Sequence, residues 1–141
     1  MSETVSLDVE LKSPIERVWQ ALTDSSLLSK WTFFETNDFQ PVVGHKFQFR
    51  SQPGPGWTGI VDCEVLAADK PHRLSYTWVT GPEGLVVHTT VTWTLTEADK
   101  GVTRLHLEQS GFASEAAQAI GGAKYGWTRM VEQLRGLLPA A

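Results

Sequence analysis

The stretch Ser114–Leu138, SEAAQAIGGAKYGWTRMVEQLRGLL, reads as one long amphipathic helix. Apolar residues recur at Ile120, Ala123, Trp127, Met130, Val131, Leu134, Leu137 and Leu138, the three-and-four spacing of a single helical stripe. Arg129, Glu132 and Arg135 lie on the other side. Ser114 suits an N-cap, Glu115 the positive end of the helix dipole, and Pro139 the stop. Gly121, Gly122 and Gly126 interrupt the helix, each at a cost of about 1 kcal/mol relative to Ala. A compensation is therefore expected, either close approach to a sheet or space left open for a ligand.

Such a stripe must be buried, and the chain before it supplies the surface. From Lys46 onward the pattern is antiparallel β, with strands expected near 46–51, 57–66, 73–80, 85–96 and 102–110. Ser51–Gly56, Asp69–Pro71, Gly81–Gly84 and Asp99–Gly101 carry turn chemistry and separate them. Each strand has one apolar face: Phe47 and Phe49; Val61, Cys63 and Val65; Leu74, Tyr76 and Trp78; Val87, Val91, Trp93 and Leu95; Leu105 and Leu107. The opposite faces are polar. A one-sided antiparallel sheet needs a cover, and the terminal helix is the only element large enough to provide it.

Further out, Thr4–Leu11 alternates as another half-buried strand. Ser13-Pro14-Ile15-Glu16 has the form of a capping box with Pro at the first helical position, opening a short helix whose apolar face is Ile15, Val18, Trp19 and Leu22. Thr23–Ser26 breaks that helix and can cap a second brief helical turn through Leu27 and Leu28 to Trp31. Thr32–Val43 is aromatic but irregular and reads as a short strand and loop.

Bulk properties narrow the function classes. The length fits one domain over residues 1–141. Twelve basic against sixteen acidic residues, net −4, with no Lys/Arg run, argue against nucleic acid or an anionic membrane as partner. The single cysteine, Cys63, excludes an internal disulfide, and no signal peptide or membrane-spanning run is visible. A cytoplasmic protein without membrane insertion is expected. Six Trp and six Phe exceed what a minimal core requires, so some aromatic surface is available for other work.

Counting back from the hairpin turns pairs the strands. Leu95 opposite Thr103 sets Trp93 against Leu105, Val91 against Leu107 and Thr89 against Gln109. Trp78 opposite Val87 sets Tyr76 against Thr89, and Val65 opposite Leu74 sets Cys63 against Tyr76. The outcome is one polar row, Cys63, Tyr76, Thr89 and Gln109, across an otherwise apolar inner face. Buried polar atoms need partners. Either the row hydrogen-bonds a ligand lying between sheet and helix, or its members satisfy one another or a buried water inside a closed core.

The candidate ligand walls are Trp78, Val91, Trp93, Leu107, Trp127 and Met130. Trp31, Phe33, Phe34, Trp57 and Phe112 are candidates for a cavity mouth. Enzyme chemistry has less support. His88 and His106 lie on the outer face, separated along their strands by roughly 13 Å, and no Cys/His cluster exists, so no metal site is expected. Cys63 has no histidine beside it on its face. Asp62, Glu64 and Glu108 point outward, leaving Glu35, Asp38 and Tyr125 as the plausible acid-base residues at a mouth.

Ser13-Pro14-Ile15-Glu16-Arg17-Val18-Trp19-Gln20-Ala21-Leu22-Thr23-Asp24, followed by Trp31, resembles the start of the SRPBCC (START-like, Bet v 1-like) superfamily. The likeness is nearest to the branch related to the activator of the heat-shock-protein-90 ATPase. Val43–Phe47, Arg73–Trp78, Gly101–Leu105, Ser110-Gly111-Phe112 and Gly126-Trp127 fall where that branch has similar short motifs, so the resemblance covers nearly the whole chain. It implies an α+β helix-grip fold: a curved antiparallel sheet of about seven strands around the C-terminal helix, with two short helices after the first strand. It also implies an apolar cavity between sheet and helix, with the helix glycines on the cavity side.

Fold alone does not settle function in this superfamily. The first expectation is a binding protein for a small hydrophobic or aromatic molecule, needing no cofactor, with Tyr76, Thr89 and Gln109 as polar contacts. The second is a chaperone-partner module, with a protein partner or a homodimer, although the chain resembles only the C-terminal part of that co-chaperone. The third is a cofactor-free enzyme similar to the polyketide cyclases, which the absence of an inward carboxylate disfavours.

Overall fold

The computed structural model describes residues 2–32, 34–52, 59–80, 87–113 and 117–138. The elements run β1 (Ser2–Leu11), α1 (Ile15–Thr23), α2 (Ser25–Trp31), β2 (Thr36–Asn37), β3 (Lys46–Arg50), β4 (Ile60–Asp69), β5 (Arg73–Thr80), β6 (Val87–Asp99), β7 (Val102–Ala113) and α3 (Ala117–Leu137). The seven strands form one antiparallel sheet in the order β1-β7-β6-β5-β4-β3-β2. Every neighbour pair except β1–β7 is consecutive in the chain; β1 crosses over to close against the last strand. This is the α+β helix-grip arrangement that the pattern and the resemblance imply.

The period-two alternation sorts the side chains as expected. Phe47, Phe49, Val61, Cys63, Val65, Leu74, Tyr76, Trp78, Val91, Trp93, Leu95, Leu105 and Leu107 are all buried on one face, beneath α1, α2 and α3. Burial at about 25 cal/mol per Å² of apolar surface makes this face the main source of stability. On the other face Ser75 and Thr92 share a hydrogen bond of 3.0 Å, and Arg50 reaches Gln48 Oε1 at 2.7 Å.

The register differs from the counted one by two residues in the β4–β5, β5–β6 and β6–β7 hairpins. Trp93 pairs with Leu107 and Val91 with Gln109; Tyr76 pairs with Val91 and Trp78 with Thr89; Val65 pairs with Tyr76. The physical reason is visible at the β6–β7 turn. β6 runs on through Glu97, Ala98 and Asp99, Asp99 pairs with Val102, and only Lys100 and Gly101 turn, with an irregularity between Glu97 and Asp99. Gly101 takes φ +73° there, a conformation that costs glycine little. A slip of two leaves every side chain on its face, so the faces survive and the rows do not.

Gly111 sets a second departure. Glu3 pairs with Phe112 and Thr4 with Ser110, so Gly111 is an extra residue in β7, a bulge. Its φ is +100°, and a Cβ would lie 3.3 Å from the His88 carbonyl oxygen. Inward positions are odd-numbered up to Gln109 and even-numbered from Phe112, which is thereby buried.

Helix boundaries follow their caps, with one correction. Asp24 Oδ1 accepts from Ser26 N at 2.9 Å and Leu27 N at 3.2 Å, opening α2, worth about 1 kcal/mol. At α1 the capping box does not form: Pro14 occupies the N-cap without a side-chain cap. Ser13 is instead held by its backbone, its carbonyl accepting from Thr103 Oγ1 at 2.8 Å, and its buried Oγ has no partner. For α3, Ser114, Glu115 and Pro139 lie outside the described residues. The helix approaches β1 and α2 most closely. Gly121 and Gly122 are exposed, and a Cβ at either would meet nothing within 4 Å. They therefore neither bring the helix against the sheet nor line the interior.

Candidate functional site

The interior between the sheet and α3 is built mainly of rings. Trp127, from the middle of α3, lies against Trp78 at 4.9 Å between centroids and against Trp93 at 5.5 Å, nearly perpendicular to the latter. Trp93 also meets Trp31 edge to face at 5.9 Å. Phe34 bridges Phe49 at 5.2 Å and Trp78 at 5.7 Å, and Tyr76 stands beside Phe47 at 5.6 Å and Phe39 at 6.1 Å. Edge-to-face and tilted contacts of this kind add to the area term. Val91, Leu107 and Met130 fill the space between them as buried neighbours.

Among the described residues, polar atoms of this interior form two short chains. Trp127 Nε1 donates to Gln109 Oε1 at 2.7 Å, Gln109 Nε2 donates to Thr89 Oγ1 at 2.8 Å, and Thr89 Oγ1 donates to the Trp78 carbonyl at 2.8 Å. Trp93 Nε1 donates to the Tyr76 hydroxyl at 2.9 Å. Because indole is a donor only, it fixes the Gln109 amide with oxygen toward Trp127 and nitrogen toward Thr89. Burial pushes the Tyr76 phenol and the Cys63 thiol well above their ordinary pKa, so neither is a base or nucleophile at neutral pH.

Of the residues expected on one polar row, Thr89 and Gln109 do meet, but diagonally, since Gln109 sits opposite Val91. Tyr76 also lies opposite Val91, and its hydroxyl bonds Trp93, not Thr89. Asp62 pairs with Val79 and Val65 with Tyr76, which sets Cys63 beside Trp78; the Cys63 thiol donates to the Val61 carbonyl at 3.9 Å. The expected mouth residues also move. Trp31 is 1% exposed and donates to the Ala21 carbonyl at 2.8 Å, because α2 folds its indole under the sheet. Phe34 and Phe112 are buried as well, while Phe33 and Trp57 lie outside the described residues. Tyr125 is 66% exposed and has the Arg129 guanidinium over its ring at 5.6 Å. Glu35 is exposed, and Asp38 Oδ1 accepts from the Gln48 backbone N–H at 2.9 Å.

Two features were missed. A surface groove of about 320 Å³ is lined by Asp38, Lys46, Phe47, Gln48, Asp62 and Cys63, where Gln48 Nε2 donates to Asp62 Oδ1 at 2.6 Å. Outward alternation of Gln48 and Asp62 on paired strands was the available signal. On the outer face of β1 and β7, His106 is held by Asp8 at 2.7 Å and Glu108 at 3.1 Å. Both hydrogen bonds favour the imidazolium and raise its pKa, that to Glu108 most. Among the described residues no group of three or more His, Cys, Asp or Glu could hold a metal ion, and no helix is long and apolar enough to cross a membrane.

With this architecture, residues 12–139 match the family model of the Activator of Hsp90 ATPase homolog 1-like proteins. The chain belongs to that family. A Mesorhizobium loti protein of known structure is 40% identical, with 96% of each chain covered and a TM-score of 0.86. An HSP90 activator from Plasmodium falciparum, 19% identical with a TM-score of 0.77, covers 96% of this chain and 95% of its own. The Aha1 dimer from Colwellia psychrerythraea is 19% identical with a TM-score of 0.78, and 96% of each chain is covered; these last two show the shared fold. No curated protein matches the sequence.

Proposed function

We propose that this family member binds a small, largely apolar or aromatic molecule between the sheet and α3, beside Trp78, Thr89, Gln109 and Trp127. The observation that carries this reading is a change along α3. On its inward stripe Trp127, Met130, Val131 and Leu134 are buried, whereas Ile120, Ala123 and Gly126 are only half-buried. Apolar surface on the first half of the helix is thus incompletely covered, next to the Trp78–Trp127 contact and the Gln109–Thr89 pair. Mostly apolar walls with a few placed polar groups are what small-molecule sites offer. Native mass spectrometry of protein purified from its source cells, with denaturing release, tests it. A bound small molecule lost in a Thr89→Leu/Gln109→Leu variant supports the reading; an empty protein with no thermal shift against lipids and aromatics sinks it.

Family membership favours a second reading, interaction with a chaperone ATPase. It would use the outer sheet face, where Arg50 and Arg104 are exposed and Arg104 lies 3.7 Å from Glu10. Charge reversal at Arg50, Glu64 and Arg104 would then abolish stimulation of an Hsp90 ATPase, and would leave small-molecule binding unchanged.

A further inference from the structure

Resting on the small-molecule reading, we infer the chemical class of the ligand: an uncharged molecule that presents a carbonyl-type hydrogen-bond acceptor to the Tyr76 hydroxyl, with the remaining amide N–H of Gln109 as a second donor.

The argument is a count of hydrogens. Tyr76 is 2% exposed. Its oxygen accepts from Trp93 Nε1, and among the described residues no acceptor lies against its own proton. Gln109, also 2% exposed, has its oxygen turned to Trp127 and one amide hydrogen on Thr89; its other hydrogen has no acceptor among the described residues. The Thr89 proton is already spent on the Trp78 carbonyl. Among the described residues these two donors therefore lack acceptors, and a buried donor left without one is costly. By accepting from Trp93, the phenol is also polarised into a better donor.

The observed register places the two donors usefully. Tyr76 and Gln109 both pair with Val91, so they come from the strands on either side of β6, with backbones about 10 Å apart. Val91 is the floor between them, fully buried. A planar body lying across Val91 would offer its polar edge to either donor and its faces to the surrounding rings. The buried polar side chains described are Ser13, Ser75, Thr89, Thr103 and Gln109, none charged. A carboxylate would enter without a counter-charge and lose its hydration. Burial keeps the Tyr76 phenol protonated, so it can donate across the physiological range.

The test compares fluorene, fluorenone and a fluorene carboxylate, three bodies of similar shape. Binding is read by quenching of the interior tryptophans, and the carbonyl stretch of bound fluorenone is read by infrared difference spectroscopy. Fluorenone should bind about three- to tenfold more tightly than fluorene, its carbonyl stretch should fall relative to that in alkane, and the carboxylate should bind weakest. Tyr76→Phe should erase most of the preference for fluorenone over fluorene. If that variant does not fold, the stretch in the unaltered protein decides alone. Equal binding of fluorene and fluorenone with an unshifted stretch overturns the donor assignment while the binding reading stands. Preference for the carboxylate overturns the uncharged class. Binding of none of the three overturns both this inference and the reading beneath it.

Discussion

Residues 127–137 and 117–126 belong to one helix, α3, yet they are held in different ways. In the later half the inward stripe is closed: Trp127, Met130, Val131 and Leu134 are buried, as is Leu138 just past the helix end, and Leu134 touches no solvent. The earlier half carries the same spacing, but Ile120, Ala123 and Gly126 are only half-buried and Gly121 and Gly122 are open to solvent. Helical periodicity reports which residues face inward. It does not report whether anything waits for them there. The later half anchors the fold, and the earlier half is the part that a bound molecule could cover, with Trp127 at the boundary making the hydrogen bond from helix to sheet.

The comparison can be broken by substitution. Leu134→Ala should cost about 2–5 kcal/mol, the usual penalty for a cavity in a closed core, measured as a fall in the denaturant midpoint at constant slope. Gln109→Leu removes the acceptor of the Trp127 indole and should cost about 1–3 kcal/mol. Adding Trp127→Phe to it should cost less than Trp127→Phe alone beyond its volume change, a non-additivity that a double-mutant cycle reads directly. Gly122→Ala should stabilise by about 1 kcal/mol, because Ala is the better helix former and a Cβ there meets nothing within 4 Å. Ile120→Ala should cost less than about 1 kcal/mol, being half-exposed. If Ile120→Ala instead matched Leu134→Ala, the two halves would be equivalent and the proposed site would lose its basis.

The smallest effect lies on the opposite face and should leave both halves of α3 alike. The raised pKa of His106 means that the folded state favours its protonated form. That stabilisation is fully present below the unfolded value of about 6.5 and is lost as pH rises through the higher folded value. His106→Gln should flatten the decline of stability over that window, measured by denaturant midpoints at several pH values. The effect is small because these charges are largely solvated.

The architecture was legible because it is written in periods. The stripe of α3, the alternation of β3–β7 and the polar break after α1 each specify an element and a face, and all were read correctly. The rows across the sheet were not, since pairing depends on where a strand stops, and Glu97–Asp99 look like turn residues although the backbone goes on pairing through them. Ser110-Gly111-Phe112 held a usable signal: a lone glycine within a strand pattern marks a bulge, and that bulge turns Phe112 inward. Trp31 was placed at a rim; it ends α2, and only the fold of that helix beneath the sheet shows it as core. The polar partners were the least legible, because Gln109, Thr89 and Trp127 meet through a register and a helix depth that no local pattern encodes.

The pairing of β1 with β7 has a consequence during synthesis. Asp8 and His106, which end as partners, are separated by 98 residues of chain, so the first strand is made long before the strand that will neighbour it exists. At about 5–20 residues per second, the nascent segment waits some 5–20 seconds with its ladder groups unpaired. Long-range closure of this kind slows folding, and it makes the emergence of β7 the event after which the sheet can be completed.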